Sequence, residues 1–215
     1  MNSILTNTSQ SLILNSYYGF ECNNKNRINI NKKIESKFNE NYLINIVRSI
    51  SKSLDTKILN TSSHAFEPSG TSVASIIESN EIEIGISGVA HLNESHISFH
   101  SYYENKIKNI IVLRLELHIS SCSRKNVFYS LDELSNDNLY ETYDSLTIDF
   151  FHRGINLEKN LNDDHLITQY LNKKSNTFEI SKMNLSDYSG SYRLLKHKDK
   201  IFFDNLTRHL YLDLI

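Results

Sequence analysis

Residues 111–121 read as an extended segment, and from 113 to 120 apolar and polar residues alternate without a break. Ile111, Leu113, Leu115, Leu117 and Ile119 share one parity, and Arg114, Glu116, His118 and Ser120 share the other. A period of two is that of a strand with one face on a core and one face away from it. Cys122 has the parity of the polar set. Residues 11–20, 57–66, 72–77, 81–92, 96–102 and 146–151 also read as extended segments. Leu43, Ile46, Val47, Ile50 and Leu54 recur with a helical period, which predicts an amphipathic helix whose stripe is core packing. Ser130 and Glu133 have the spacing of a capping box and predict a helix running toward Tyr140. Residues 163–172 predict a short helix, 206–214 a weak final element, and 23–37 a polar connection with an Asn-rich, linker-like start. Strands and helices follow one another without a βαβ rhythm, which predicts an α+β fold. No clean linker interrupts the chain, so residues 1–215 are read as a single domain.

Composition narrows the partners. At 215 residues the chain is long enough to bury a core, and its 39% hydrophobic and 22% charged residues are those of an ordinary globular protein. The net charge is −2 with no basic block, which argues against nucleic acid. No apolar run approaches the roughly 20 residues that span a bilayer, and the polar start lacks the order of a signal peptide. A cytoplasmic location without membrane attachment is therefore expected. Cys22 and Cys122 are the two cysteines, with no Cys-x-x-Cys pair to hold zinc. Residues 70–79 and 85–95 look alike, which two strands of similar composition explain.

The chemistry gathers around His91-Leu-Asn-Glu-Ser-His-Ile-Ser-Phe-His-Ser-Tyr-Tyr-Glu104. This stretch resembles the processing segment of bacterial S-adenosylmethionine decarboxylase proenzymes, whose pattern is Ser-His, a strand, His, then Thr/Ser-aromatic-Pro-Glu. Phe66-Glu-Pro-Ser-Gly-Thr-Ser-Val73 is similar to the family's aromatic-x-Pro-x-Gly-x-Ser strand. Arg114-Leu-Glu-Leu-His-Ile-Ser-Ser-Cys122 is similar to its strand ending in Thr-Cys-Gly. Leu146-Thr-Ile-Asp-Phe-Phe-His-Arg-Gly154 resembles a later strand of the longer, enterobacterial-type members. The resemblance runs in order from about Leu12 to Gly154 and weakens beyond. It implies an antiparallel β-sheet packed with helices on one face, an α/β sandwich, in a homo-oligomer of αβ units.

The same resemblance implies self-cleavage between Glu94 and Ser95, giving a β chain of residues 1–94 and an α chain of residues 95–215. The Ser95 hydroxyl would attack the preceding carbonyl, and the ester would eliminate. Hydrolysis of the dehydroalanine would then leave a pyruvoyl group. His100 matches the processing base, and an imidazole with an ordinary pKa near 6.5 suits that transfer. The hydroxyl that steadies the oxyanion corresponds to Ser72 in longer members or, by spacing, to Ser87 in shorter ones; the Pro68-x-Gly70 lead-in favours Ser72. The pyruvoyl carbonyl would form a Schiff base with the substrate amine and act as an electron sink. Cys122 matches the proton donor, Phe66 an aromatic near the adenine or sulfonium, and Glu104 the carboxylate for the ribose hydroxyls. S-adenosylmethionine is the implied substrate. The longer members also suggest Mg²⁺, although no ligand set is visible in the sequence.

Isolated, Ser95 would be an ordinary serine at a strand start, His100 a solvated histidine and Cys122 a small buried hydrophobe. Order and spacing favour function. The Glu78–Ser79 bond lacks a following histidine and a second one five residues on, and it is set aside. His91, His96 and His100 have mixed parity and no carboxylate or thiolate partner, which argues against a metal site. Two departures alter the pattern: Tyr103 stands where the family has Pro, and Ser123 where it has Gly. Both change the freedom of the backbone beside the substrate pocket. Two rival readings follow: a pyruvoyl enzyme acting on arginine or ornithine, and a non-catalytic paralogue that regulates an active partner. Such a paralogue would show no self-cleavage.

Overall fold

The computed structural model describes residues 9–65, 71–79, 95–104, 109–121, 125–137, 140–153, 157–185 and 189–197. Its centre is a pair of long strands, β1 (Ser9–Glu21) and β5 (Ile110–Ser121), joined antiparallel from Gln10 opposite Ser121 to Glu21 opposite Ile110. The parity read from the sequence of β5 holds. Leu113, Leu115, Leu117 and Ile119 are buried, while Arg114, Glu116, His118 and Ser120 are half-buried on the other face. β1 follows suit, with Leu12, Leu14 and Tyr18 inward and Ile13, Asn15 and Tyr17 outward.

The remaining strands extend the sheet on both sides. β4 (Ser95–Glu104), β3 (Thr71–Ser79) and β2 (Thr56–Ala65) follow beyond β5. β6 (Ser145–Arg153), β8 (Ser189–Lys196) and β7 (Phe178–Leu185) follow beyond β1. Among the described residues this makes one eight-stranded sheet in the order β2-β3-β4-β5-β1-β6-β8-β7, antiparallel throughout. Both outer strands carry a register shift. One leaves Leu59 of β2 bulged, and the other leaves Met183 of β7 bulged; both side chains are exposed.

One face of the sheet is covered. α2 (Glu40–Ser53) buries Leu43, Ile46, Val47 and Ile50 over β2, β3 and β4. Its first turn is capped by the Asn39 side chain, which accepts the Tyr42 amide at 3.0 Å. α3 (Tyr129–Ser135) packs on α2, and α4 (Leu157–Lys174) adds Ile167 and Tyr170 to the same core. Phe99, Leu117, Leu14 and Ile148 are register neighbours beneath these helices. The expected α+β fold, an antiparallel sheet with helices on one face, is therefore what the chain adopts.

Three local expectations change. The polar connection at 23–37 contains a helix, α1 (Arg27–Lys37). Asn23 and Asn26 exchange side-chain bonds with the backbone in the turn before it, so the Asn-rich patch shapes a helix start instead of a linker. Ile30, Ile34 and Phe38, four residues apart, hold α1 to the core. The capping-box spacing at Ser130 misleads: the helix begins at Tyr129 and stops at Ser135. Ser130 Oγ instead donates back to the Val127 carbonyl at 2.6 Å, and Glu133 accepts from Ser49 of α2. Tyr140–Thr142 is a separate turn of 3-10 helix. β7 and β8 were not anticipated, and the segments expected at 81–92 and 206–214 lie outside the described residues.

Asp144 closes the strand junction. Its amide donates to the Tyr17 carbonyl at 2.7 Å, its carbonyl accepts the Lys196 amide at 3.0 Å, and its Oδ2 accepts the Gly19 amide at 2.8 Å. One buried residue thus bridges β1 and β8 where β6 begins.

Candidate active site

No described helix packs on the second face of the sheet, and of the sequence-predicted residues His100 takes that face. β4 is the strand that positions them. Inward-pointing Ile97 and Phe99 fix its register in the core, so His96, Ser98, His100 and Tyr102 take the open face. His100 is opposite Ser72 of β3 on one side and Glu116 of β5 on the other. Directly opposed positions of an antiparallel pair lie about 4.5–5.5 Å apart at Cβ. Two residues 28 apart in sequence are thereby made neighbours.

The His100 imidazole is half-buried and nearly parallel to the Tyr102 ring, with centroids 6.0 Å apart at 24°. The Arg114 guanidinium lies over that same Tyr102 ring, 4.5 Å from its centroid. One row further along, His96 and His118 meet edge-on with centroids 5.0 Å apart. Beside them Ser11 Oγ donates to Ser120 Oγ at 3.3 Å. Sequence reasoning singled out neither Arg114, Tyr102 nor His118 as part of the site. Each is visible only once register brings β4 and β5 together.

Ser95 is the first residue of β4 and is opposite Ile77 of β3. His100 is five positions further along, roughly 16 Å of extended strand. Glu104 ends β4, opposite Val112. Phe66, Ser87, Glu94 and Cys122 lie outside the described residues, as does His91. Among the described residues no three His, Cys, Asp or Glu side chains gather as metal ligands, and no helix is long and apolar enough to cross a membrane.

A cavity of about 210 Å³ lies elsewhere, between α2 and α3, lined by Tyr42, Ser49, Glu133 and Asp137. Its polar groups answer one another. Tyr42 Oη donates to Asp137 Oδ1 at 2.9 Å, the Tyr140 amide donates to the same oxygen at 2.6 Å, and Ser49 donates to Glu133. Burial pushes the Tyr42 phenol well above its ordinary value, and the Asp137 carboxylate adds to the shift. Burial does the same to Tyr103, helped by Glu35. The contacts of Tyr42, Ser49, Glu133 and Asp137 fasten α2 to α3 and its following turn, away from the row that contains His100.

The chain is similar to curated bacterial proteins named S-adenosylmethionine decarboxylase proenzyme. It is 29% identical to that of Clostridium perfringens over 143 residues, which cover 57% of this chain and 51% of the relative. The Clostridium botulinum protein of that name is 28% identical over 158 residues, 63% of this chain and 56% of the relative. That of Hahella chejuensis is 27% identical over 164 residues, 69% and 60%. The chain thus spans about half the length of the curated relatives it matches. A crystal structure of the adenosylmethionine decarboxylase from Aquifex aeolicus superposes with a TM-score of 0.43 at 11% identity, over 70% of this chain and 94% of that one, too loosely to bear on the site. No protein-family model matches the chain.

Proposed function

We propose that this chain cuts itself before Ser95 and then decarboxylates S-adenosylmethionine, supplying the aminopropyl donor of spermidine synthesis. One observation carries the reading: register collects the motif stretches, far apart in sequence, onto adjacent strands. The strand that opens with Ser95 lies between β3, which sets Ser72 opposite His100, and β5, which leads toward Cys122. His96, next to Ser95, is opposite Ser120, two residues before Cys122.

The cut is balanced within the chain. The Ser95 hydroxyl adds to the Glu94 carbonyl and the Ser95 nitrogen leaves, so the amide becomes an ester. Loss of the proton on the Ser95 α-carbon then expels the Glu94 carboxylate. One water replaces the resulting enamine nitrogen, which departs as ammonia, and a ketone remains at the new end. The described ladder begins at Ser95, so a break before it removes none of the strand pairing of β4. When formed, the pyruvoyl ketone supplies the electron sink for loss of carbon dioxide from an amino acid.

His100 takes up a proton during processing, and Ser72, its register partner, offers the hydroxyl beside it. The roughly 16 Å between Ser95 and His100 points to a second copy of the chain. Two open faces packed together bring Ser95 of one subunit to the partner's His100. Cys122 returns the proton to the substrate carbon, and Phe66 and Glu104 select the nucleoside.

Intact-mass measurement of freshly purified protein tests the reading. The expected result is two chains corresponding to residues 1–94 and 95–215, the latter carrying a ketone that borohydride reduces, and one chain for Ser95→Ala. A single uncut chain from the native sequence would remove the reading. Release of carbon dioxide from arginine or ornithine instead of S-adenosylmethionine would move the substrate but not the processing.

A further inference from the structure

His100 has a side chain to lean on. Its ring lies at 24° to Tyr102 with centroids 6.0 Å apart, inside the range of offset stacking. Tyr102 is in turn held by Arg114, whose Cζ is 4.5 Å from the ring centroid. Register explains why: Arg114 is opposite Tyr102 on β4 and opposite Tyr17 on β1. Its Nε is buried and has no hydrogen-bond partner among the described residues. A planar, weakly hydrated guanidinium tolerates that setting by stacking; a lysine ammonium would not.

We propose that Arg114 and Tyr102 are positioning residues for His100, the guanidinium holding the tyrosine ring and the ring holding the imidazole. The proposal rests on the reading that His100 serves the Ser95 cut. Around His100 on this face of the described residues are Glu116 directly opposite on β5, His118 beyond it, and His96 on β4, and none of them is stacked on the imidazole as Tyr102 is.

The test uses whole chains. In the uncleavable Ser95→Ala protein, histidine ring resonances are recorded, and His100 is assigned by its loss in a Ser95→Ala, His100→Gln protein. Adding Arg114→Met is expected to move the His100 ring signals toward those seen on adding Tyr102→Ala, because a tyrosine no longer held leaves the stack. With Ser95 intact, Arg114→Met and Tyr102→Ala are expected to slow the cut about tenfold or more, as misplaced reacting groups do. Tyr102→Phe, which keeps the stack, should restore the rate, and Arg114→Lys, whose ammonium does not stack as a guanidinium does, should not. Unmoved His100 ring signals in Arg114→Met overturn the positioning role, whether or not the cut is slowed, provided His100→Ala stays whole. If His100→Ala cuts itself normally, or the native chain stays whole, the underlying reading fails instead.

Discussion

Ser95 and His100 stand on one strand, five positions apart, which is roughly 16 Å of extended backbone. If they are the nucleophile and the base of the proposed cut, that span has them act on each other across two chains. Co-expression of Ser95→Ala with His100→Ala therefore has a distinctive expected outcome. Each chain alone stays whole, but in a mixed pair the His100→Ala chain is cut with the help of the partner subunit's His100. Mass spectrometry of the co-purified pair should show fragments only from the chain that retains Ser95. No fragments at all from a well-formed mixed pair would return the reaction to a single chain.

Cys122 is predicted to be dispensable for the cut and needed for turnover. Cys122→Ala should still yield two chains, while carbon dioxide release from carboxyl-labelled S-adenosylmethionine falls about 100-fold, the scale of a lost general acid. An unchanged rate would remove Cys122 from the reaction.

Alkaline titration should expose the helix fastening. The Tyr42 and Tyr103 phenols are held above their ordinary value near 10 by burial. Above that pH the unfolded chain gives up these protons while the folded chain keeps them. Stability is therefore full below about pH 10 and declines as the pH rises beyond it. Denaturant midpoints measured between pH 8 and 11 should fall at the upper end. Tyr42→Phe, which has no proton to lose, should flatten that fall.

Asp144 should matter to stability more than its place in a turn suggests. Asp144→Ala removes the acceptor of the Gly19 amide and is expected to cost about 2 kcal/mol in urea unfolding. Asp144→Asn keeps an oxygen there and should cost less. Equal losses in the two variants would mean that the charge, not the acceptor, is what the junction needs.

The sheet was largely legible from alternation, because a strand with one buried face writes its period directly into the sequence. β5 is the clearest case, and every inward residue from Leu113 to Ile119 is buried as its parity requires. α1 was not legible, because a polar helix held by Ile30, Ile34 and Phe38 offers one apolar residue per turn, too few to distinguish from a connection. The Ser130 spacing misled because hydroxyls also bond backward along a helix, and local sequence does not say which direction wins. The candidate site residues were named by motif order alone. The contacts of Arg114 with Tyr102, and of His96 with His118, depend on register between strands, which periodicity alone does not set.

The bulges that displace Leu59 and Met183 bear on how copies of this chain meet. A straight outer strand invites another chain to join it edgewise, and repetition of that event makes a ribbon without end. Kinked margins on both sides discourage such growth. In the pairing proposed above, the broad polar surface is what remains for contact, and two such surfaces pressed together would use each other up, so that an assembly built this way would stop at a fixed size.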